Sequence, residues 1–223
     1  MTDPHAIPLH AETEAQLRRY LVRLLETNQS FNLTAITEPD EAWHKHVLDS
    51  LTLVAELSAL APGSTVIDVG SGGGLPAIPL AIALPALHFT LLEATAKKAR
   101  FLEQIASELG LDNVRVACDR AESFGRGPDR ERYAAATSRA VSRLPVLLEL
   151  TLPLLRVGGL SLAIKGEQAL LEIEEAQNAL EVLKATVQST RKTPTGVVIR
   201  IHKHGPTPAR YPRRPGDPKR APL

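Results

Sequence analysis

The sequence predicts an α/β fold: a doubly wound, mostly parallel seven-stranded sheet, with an antiparallel edge hairpin and an N-terminal helical extension. Three observations carry this. From Val66 onward, short apolar runs alternate with helix-compatible stretches, the pattern of parallel strands joined by right-handed crossovers. The run Val66-Ile67-Asp68-Val69 enters a turn with four glycines between Gly70 and Gly74, then leaves it through the apolar stretch Pro76 to Leu84. The last two strand-like runs have only a turn, Pro194-Thr195-Gly196, between them and read as a hairpin.

Taken in order, residues 11–27 place Leu17, Leu21, Leu24 and Leu25 at helical spacing against charged residues, an amphipathic helix. Gln29 to Thr34 breaks it. Thr37-Glu38-Pro39 starts a second helix that runs to about Leu57, with Pro39 in its first turn. After the glycine turn, His88 to Leu92 is a strand. Thr95 to Leu109 is a helix, with Thr95 as its N-cap and Gly110 as its stop. Val114 to Ala117 is a strand, and Asp119 to Arg132 a polar loop. Tyr133 to Thr137 is a strand that ends at Ser138-Arg139. Arg143 to Leu155 and Gln168 to Leu183 are helices either side of the strand Leu160 to Ile164. The strands Ala185 to Ser189 and Val197 to His202 close the sheet. The organisation expected is a helical extension over residues 1–60, a ligand-binding domain over 61–204 and a basic tail over 205–223.

Length suits one large domain with an appendage. Hydrophobic content is 43% and net charge is +1, so the chain as a whole makes no electrostatic argument. Charge is concentrated at the end, where Lys203, Arg210, Arg213, Arg214, Lys219 and Arg220 stand against Asp217 alone. A single cysteine, Cys118, fits a reducing compartment and reads as a core residue on its strand. The N-terminus lacks a basic region followed by an apolar run, and the apolar stretch Ala77 to Leu92 is broken by Pro79 and Pro85. The expectation is a cytoplasmic monomer without a membrane segment. No Cys/His cluster has metal-site spacing, so no metal is expected.

The glycine turn is the candidate ligand grip. Glycines admit positive φ and close approach by a ligand, and the following helix start offers unpaired N–H groups. Gly72-Gly73-Gly74-Leu75-Pro76-Ala77 formally fits the dinucleotide pattern G-x-G-x-x-A. Asp68, however, lies two residues before the first glycine and would repel a pyrophosphate. S-adenosylmethionine carries no phosphate. Its ammonium suits Asp68, and its carboxylate suits the N–H groups of Gly70, Gly72 and Gly74. Glu93, ending the second strand, stands where ribose hydroxyls are bound in either cofactor class. Glu122, in the loop after the third strand, reads equally as an adenine-side contact or a solvated acid.

Several fragments resemble the bacterial 16S rRNA guanine-N7 methyltransferases, the GidB or methyltransferase G family. These are Asn32-Leu33-Thr34-Ala35-Ile36, His46-Val47-Leu48-Asp49-Ser50-Leu51, the run Ile67 to Leu80 with both prolines, Lys98 to Leu102, Arg120-Ala121-Glu122, Ser138-Arg139-Ala140, Lys165-Gly166 and Tyr211 to Lys219. The resemblance covers residues 30 to 220. It implies a class I (Rossmann-like) methyltransferase fold, S-adenosylmethionine as cofactor, and N7 of a guanine in the 530 loop of small-subunit rRNA as the target. It also implies Gly70, Leu75, Ala121, Glu122 and Arg139 as cofactor contacts. Gly73 departs from relatives that have proline there, and is expected to loosen the turn slightly.

Guanine N7 carries a lone pair and no proton, so its methylation requires alignment rather than a general base. Arg139, at the end of the fourth strand, is expected near the methyl group. Asn32 and His46 are expected to shape the guanine pocket, although His46 and Asp49 could equally link two helices. Lys165, Arg210, Arg213, Arg214 and Lys219 are the expected RNA contacts, helped by Lys97, Lys98 and Arg100. The proline-rich tail reads as a semi-rigid basic arm. The competing readings are an NAD-linked oxidoreductase, from the formal glycine match, and a cofactor-binding regulator without catalysis.

Overall fold

A computed structural model describes residues 9–223. Its elements, in chain order, are α1 (Ala11–Asn28), α2 (Pro39–Ala42), a π-helical turn (Trp43–Leu48), α3 (Asp49–Leu51), α4 (Val54–Leu57), β1 (Thr65–Val69), α5 (Ala77–Ala83), β2 (His88–Leu92), α6 (Ala96–Glu108), β3 (Val114–Ala117), α7 (Ala121–Phe124), β4 (Tyr133–Arg139), α8 (Leu144–Thr151), β5 (Leu155–Lys165), α9 (Ala169–Glu175), α10 (Gln177–Val182), β6 (Ala185–Thr193), β7 (Gly196–Lys203) and α11 (Asp217–Arg220). The strands form one seven-stranded sheet in the order β3-β2-β1-β4-β5-β7-β6. The first five pair in parallel, and β7 runs antiparallel to both β5 and β6. Strand order reverses between β1 and β4, so the crevice at their carboxyl ends is where such a sheet binds ligands.

Both faces of the sheet are covered, as the period-two alternation of its strands requires. Val66 of β1 packs on the side of α1, α5 and α6, with Leu17, Leu24, Ile78 and Leu102. Its neighbours Ile67 and Val69 pack on the opposite side, with Leu147 and Leu148 of α8 and Leu180 of α10. The helical extension is therefore the outer layer of one face, with Leu17, Tyr20 and Leu24 fully buried.

Local structure differs from expectation in several places, among them the loop expected over 119–132, which holds α7, and the strand expected to end at Ser189, which runs to Thr193. The second helix is broken into α2, the π-turn, α3 and α4. The π-turn adds one residue to the helical path and aims His46 and Asp49, both buried, at the sheet edge. The expected helix Arg143 to Leu155 ends at Thr151, and β5 starts five residues early at Leu155, passing through Gly158-Gly159 rather than turning there. The helix expected over 168–183 is interrupted at Ala176. Thr95 takes the N-cap position but its hydroxyl caps nothing; its N–H instead donates to Glu93. Cys118 is exposed rather than core, because it lies just past β3, the edge strand.

Candidate active site

A cleft of about 540 Å³ opens at the carboxyl end of β1, beside the switch point. One wall is the glycine turn with Gly70, Ser71, Gly72, Gly73 and Leu75, backed by Glu93. The opposite wall is the loop Leu33 to Ile36 with Lys45, His46 and Asp49. Arg139 lies between them, and Lys165, Gly166 and Thr195 close the far end. A second hollow of about 500 Å³ lies between α1 and α2, against Trp43. It is lined by residues of the helical extension alone and includes none of the glycine-turn or strand-end residues.

The turn is less open than its glycines suggest. The N–H groups of Gly70 and Ser71 donate to the Leu92 carbonyl, those of Gly74 and Leu75 to the Ser71 carbonyl, and that of Gly72 to Glu93 Oε2 at 2.9 Å. Gly73 alone keeps a free N–H in this turn. The glycines also divide by role. Gly72 has φ +55°, and a Cβ there would meet nothing closer than 3.8 Å, so it faces open space where a ligand can approach. Gly74 has φ +95°, and a Cβ would stand 2.6 Å from Ile78 and 3.2 Å from Leu102. It is a packing residue that lets α5 and α6 close on the turn, and the expected cofactor contact at Gly74 is corrected accordingly. Gly70 is likewise closed on one side by Val141, which would lie 2.8 Å from a Cβ there, while its backbone lines the cleft. At Gly73 a Cβ would press on Leu24 at 2.8 Å, and the Gly73 carbonyl accepts the buried Tyr20 hydroxyl at 2.7 Å. The turn is braced by α1 rather than loosened.

Asp68 is 1% exposed and lies beneath the turn instead of lining the cleft. Oδ1 accepts the Thr137 hydroxyl at 2.7 Å, and Oδ2 has no hydrogen-bond partner. Burial pushes its pKa up to about 7, against the hydrogen bond from Thr137. Glu93 does line the cleft, but both oxygens are engaged, by Gly72 N–H and Thr95 N–H. Each keeps a second lone pair for a ribose hydroxyl.

Opposite, Arg139 is held by the helical extension. Nη1 donates to the Lys45 carbonyl at 2.9 Å, Nη2 contacts His46 Nδ1 at 3.1 Å, and Asp49 Oδ2 stands 3.8 Å away. Burial works against the charged guanidinium, and the Asp49 carboxylate opposes that shift. Burial and the Arg139 charge push the His46 pKa down to about 4, so the ring is neutral at physiological pH. Asp49 is itself fully buried, with Oδ1 accepting the Thr193 hydroxyl at 3.0 Å. The π-turn thus joins the extension, β4 and the edge hairpin at one point. Sequence reasoning nominated His46 and Arg139, and the structure brings them together. Asn32 is different: it is exposed and does not line the cleft, whereas Leu33, Thr34, Ala35 and Ile36 do. Chain direction through the loop turns Asn32 outward.

The tail departs most from expectation. It is folded against the body rather than free. Tyr211 is buried in the core on the α8 side. Arg213 donates through its backbone N–H, Nε and Nη2 to Glu149, a fully buried carboxylate on α8, with Nη2 to Oε2 at 2.6 Å. That hydrogen bonding raises the guanidinium pKa further. Arg126 and Arg130 donate to the Pro212 and Tyr211 carbonyls. Buried Lys203 pairs with Glu131 at 2.6 Å. Two of the expected RNA contacts are corrected by this. Arg213 is an internal partner of Glu149, and Lys165 is an internal partner of Glu172 at 2.6 Å, its Nζ also donating to the Ser142 carbonyl. Arg210, Arg214 and Lys219 are exposed and make no salt bridge among the described residues. Ala121 and Glu122 do not line the cleft. Glu122 is 5% exposed and its Oε1 accepts the Gly216 N–H at 2.9 Å, so the tail reaches the loop after β3.

The comparisons agree with this architecture. The family model described as rRNA small subunit methyltransferase G matches residues 13–198. The chain is 49% identical to the ribosomal RNA small subunit methyltransferase G of Sorangium cellulosum, over 93% of this chain and 87% of that one. It is 46% identical to the protein of the same name from Chloroflexus aggregans, over 100% and 95%. Among solved structures, a Corynebacterium glutamicum protein aligns with a TM-score of 0.58 at 18% identity, over 84% of this chain and 90% of that one. A SAM-dependent methyltransferase from Aquifex aeolicus aligns with a TM-score of 0.55 at 17% identity, over 72% and 92%. The fold is that of the class I, Rossmann-like methyltransferases, and the chain belongs to the rRNA small subunit methyltransferase G family.

Proposed function

We propose that the protein transfers a methyl group from S-adenosylmethionine to N7 of a guanine in the 530 loop of 16S rRNA, acting on the small ribosomal subunit as a cytoplasmic monomer. Family membership supports the methyltransferase and its rRNA class of substrate. The observation that carries the reaction type is the state of His46. Both ring nitrogens are occupied, by Arg139 and Thr34, and the ring is neutral, so the cleft's one histidine is built to position rather than to take a proton. That fits an acceptor with no proton to lose.

The residues present fit the methyl donor. Gly72 leaves room for close approach, the Gly73 N–H, Lys98 and Arg139 offer donors to a carboxylate, and Glu93 offers lone pairs to a ribose. When bound, the donor would supply an electrophilic methyl on a sulfonium, and an acceptor lone pair such as N7 would take it without any proton having to move. The chain's work is alignment. Arg139 is fixed from three sides by the extension, so that β4 and the cap present one rigid wall. Asp68 lies buried beneath the turn, and burial raises its pKa to about 7, well above the usual carboxylate range. We read Ala121 and Glu122 as the adenine-side boundary, and Arg210, Arg214 and Lys219 as phosphate contacts. An NAD reading loses its support at Gly74, whose missing side chain accommodates Ile78 and Leu102 rather than a pyrophosphate. Among the described residues no helix is long and apolar enough to cross a membrane.

The test is to map N7-methylguanine on 16S rRNA from a strain lacking the gene, with and without complementation. Loss of one 530-loop modification, restored on complementation, is expected; an unchanged 530 loop overturns the target. Calorimetry should show binding of S-adenosylmethionine and none of NAD.

A further inference from the structure

The hydrogen bonds across the cleft have a forced direction. A guanidinium has no acceptor, so Arg139 Nη2 donates and His46 Nδ1 receives through its lone pair. The proton of the neutral ring is then on Nε2, which must donate to Thr34 Oγ1 at 2.5 Å. The same oxygen also accepts the Ile36 backbone N–H at 3.1 Å. Both lone pairs of the Thr34 hydroxyl are thereby filled, and its own proton finds no acceptor among the described residues. Thr34 lines the cleft, and its neighbour Leu33 packs against the glycine turn, with its Cβ and carbonyl oxygen about 3.4 and 3.5 Å from where a Gly73 Cβ would be. The relay therefore leaves Thr34, a residue of the cleft wall, with a hydroxyl proton that no described protein group accepts.

We propose that Thr34 is a specificity-determining residue that donates this hydrogen bond to O6 of the target guanine. This rests on the reading of the site as a guanine N7 methyltransferase. O6 lies next to N7 on the same edge of the purine, so a base turned to present N7 also presents O6. Guanine offers an acceptor there, whereas adenine offers an amino donor that would meet the Thr34 proton head-on. A site built to donate rejects a base that cannot accept, because a polar group is left unpaired on one or both sides. His46 acts through Thr34 as a positioning residue: its tautomer, set by Arg139, obliges the threonine to donate outward.

The experiment compares the full-length protein with Thr34→Val and Thr34→Ser on small subunits reconstituted with guanine or 2-aminopurine, which lacks O6, at the target position. Methyl transfer is read as kcat/KM, and S-adenosylmethionine affinity is read by calorimetry. The wild type should lose roughly tenfold or more on the 2-aminopurine substrate. Thr34→Val should lose a similar factor on guanine and little further on 2-aminopurine, with cofactor affinity unchanged, and Thr34→Ser should restore guanine transfer. The proposal is overturned if Thr34→Val retains wild-type transfer. It is also overturned if the variant shows the full additional loss on 2-aminopurine, or if its loss appears as weakened S-adenosylmethionine binding, which would give the hydroxyl to the cofactor. A wild type that transfers no methyl to the guanine substrate would instead remove the underlying functional reading.

Discussion

The glycine turn at residues 70–75 and the basic tail after Lys203 both look, as sequence, like places that hold a ligand. In the fold they behave oppositely. The turn directs most of its N–H groups inward, yet still presents Gly72, the Gly73 N–H and Glu93 to a cleft. The tail, richer in charge, gives Arg213 to buried Glu149 and the Gly216 N–H to Glu122, and keeps for solvent only the side chains that point away from the body. A charged residue is available to a ligand only when the fold supplies no partner for it. That depends on residues tens of positions away: 64 between Glu149 and Arg213, and 94 between Glu122 and Gly216.

The largest effect that would sharpen this contrast is expected at Arg213. Arg213→Ala leaves the Glu149 carboxylate buried without its cation, and should cost roughly 3–5 kcal/mol in urea unfolding. Unchanged stability together with weakened rRNA binding would return Arg213 to the RNA surface. Within the turn, Gly74→Ala should cost about 2–3 kcal/mol, from the overlap with Ile78 and the left-handed backbone. Gly72→Ala has only the backbone strain, about 1 kcal/mol, but should weaken S-adenosylmethionine binding, which Gly74→Ala should not do beyond its effect on folding. Equal cofactor losses in the two variants would erase the division of roles.

Protonation should expose the buried floor of the cleft. Asp68 has a folded pKa raised to about 7, so its contribution is complete below about pH 4 and is lost as pH rises through 7, with a slope of up to about 1.4 kcal/mol per pH unit. His46 has a folded pKa lowered to about 4, so its contribution is complete above 6.5 and is lost as pH falls toward 4. The two oppose each other between pH 4 and 6.5. Asp68→Asn should therefore lose stability on acidification across that window more steeply than the wild type, and His46→Gln less steeply. Parallel curves for all three proteins would show that neither group is perturbed. The smallest effect on folding belongs to the exposed cations. Arg210→Gln, Arg214→Gln and Lys219→Gln together should change stability by no more than about 0.5 kcal/mol. They should also flatten the dependence of log affinity for rRNA on log salt by about 2. A salt slope equal to the wild type's would place the RNA elsewhere.

Much of the fold was legible. Strand and helix alternation, the glycine turn after β1 and the Pro194-Thr195-Gly196 hairpin are local patterns, and each appears where its residues require. Arg139 and Glu93 could be placed because residues ending parallel strands must emerge at one edge of the sheet. The interruption of the second helix was not legible, since Trp43 to Leu48 carries no proline or glycine to announce a π-turn. Nor was Thr34, which has no charge and no periodic neighbour; its proximity to His46, twelve residues on, was the only available hint. Asn32 drew attention through the resemblance of its motif, and the loop turned it to solvent.

By itself, then, the sequence determined what is set by near neighbours: the order of the strands and helices, the backbone freedom of the turn, and the identity of the groups brought to the sheet edge. Tertiary structure decided which of those groups remain free. Burial of Glu149 and Glu172 claimed Arg213 and Lys165, and burial of Lys203 claimed Glu131, because an unpaired charge in the interior costs more than an exposed one gains. It likewise decided that Gly74 serves packing while Gly72 faces the cleft, through Ile78 and Leu102 arriving on one side of the turn and nothing arriving on the other.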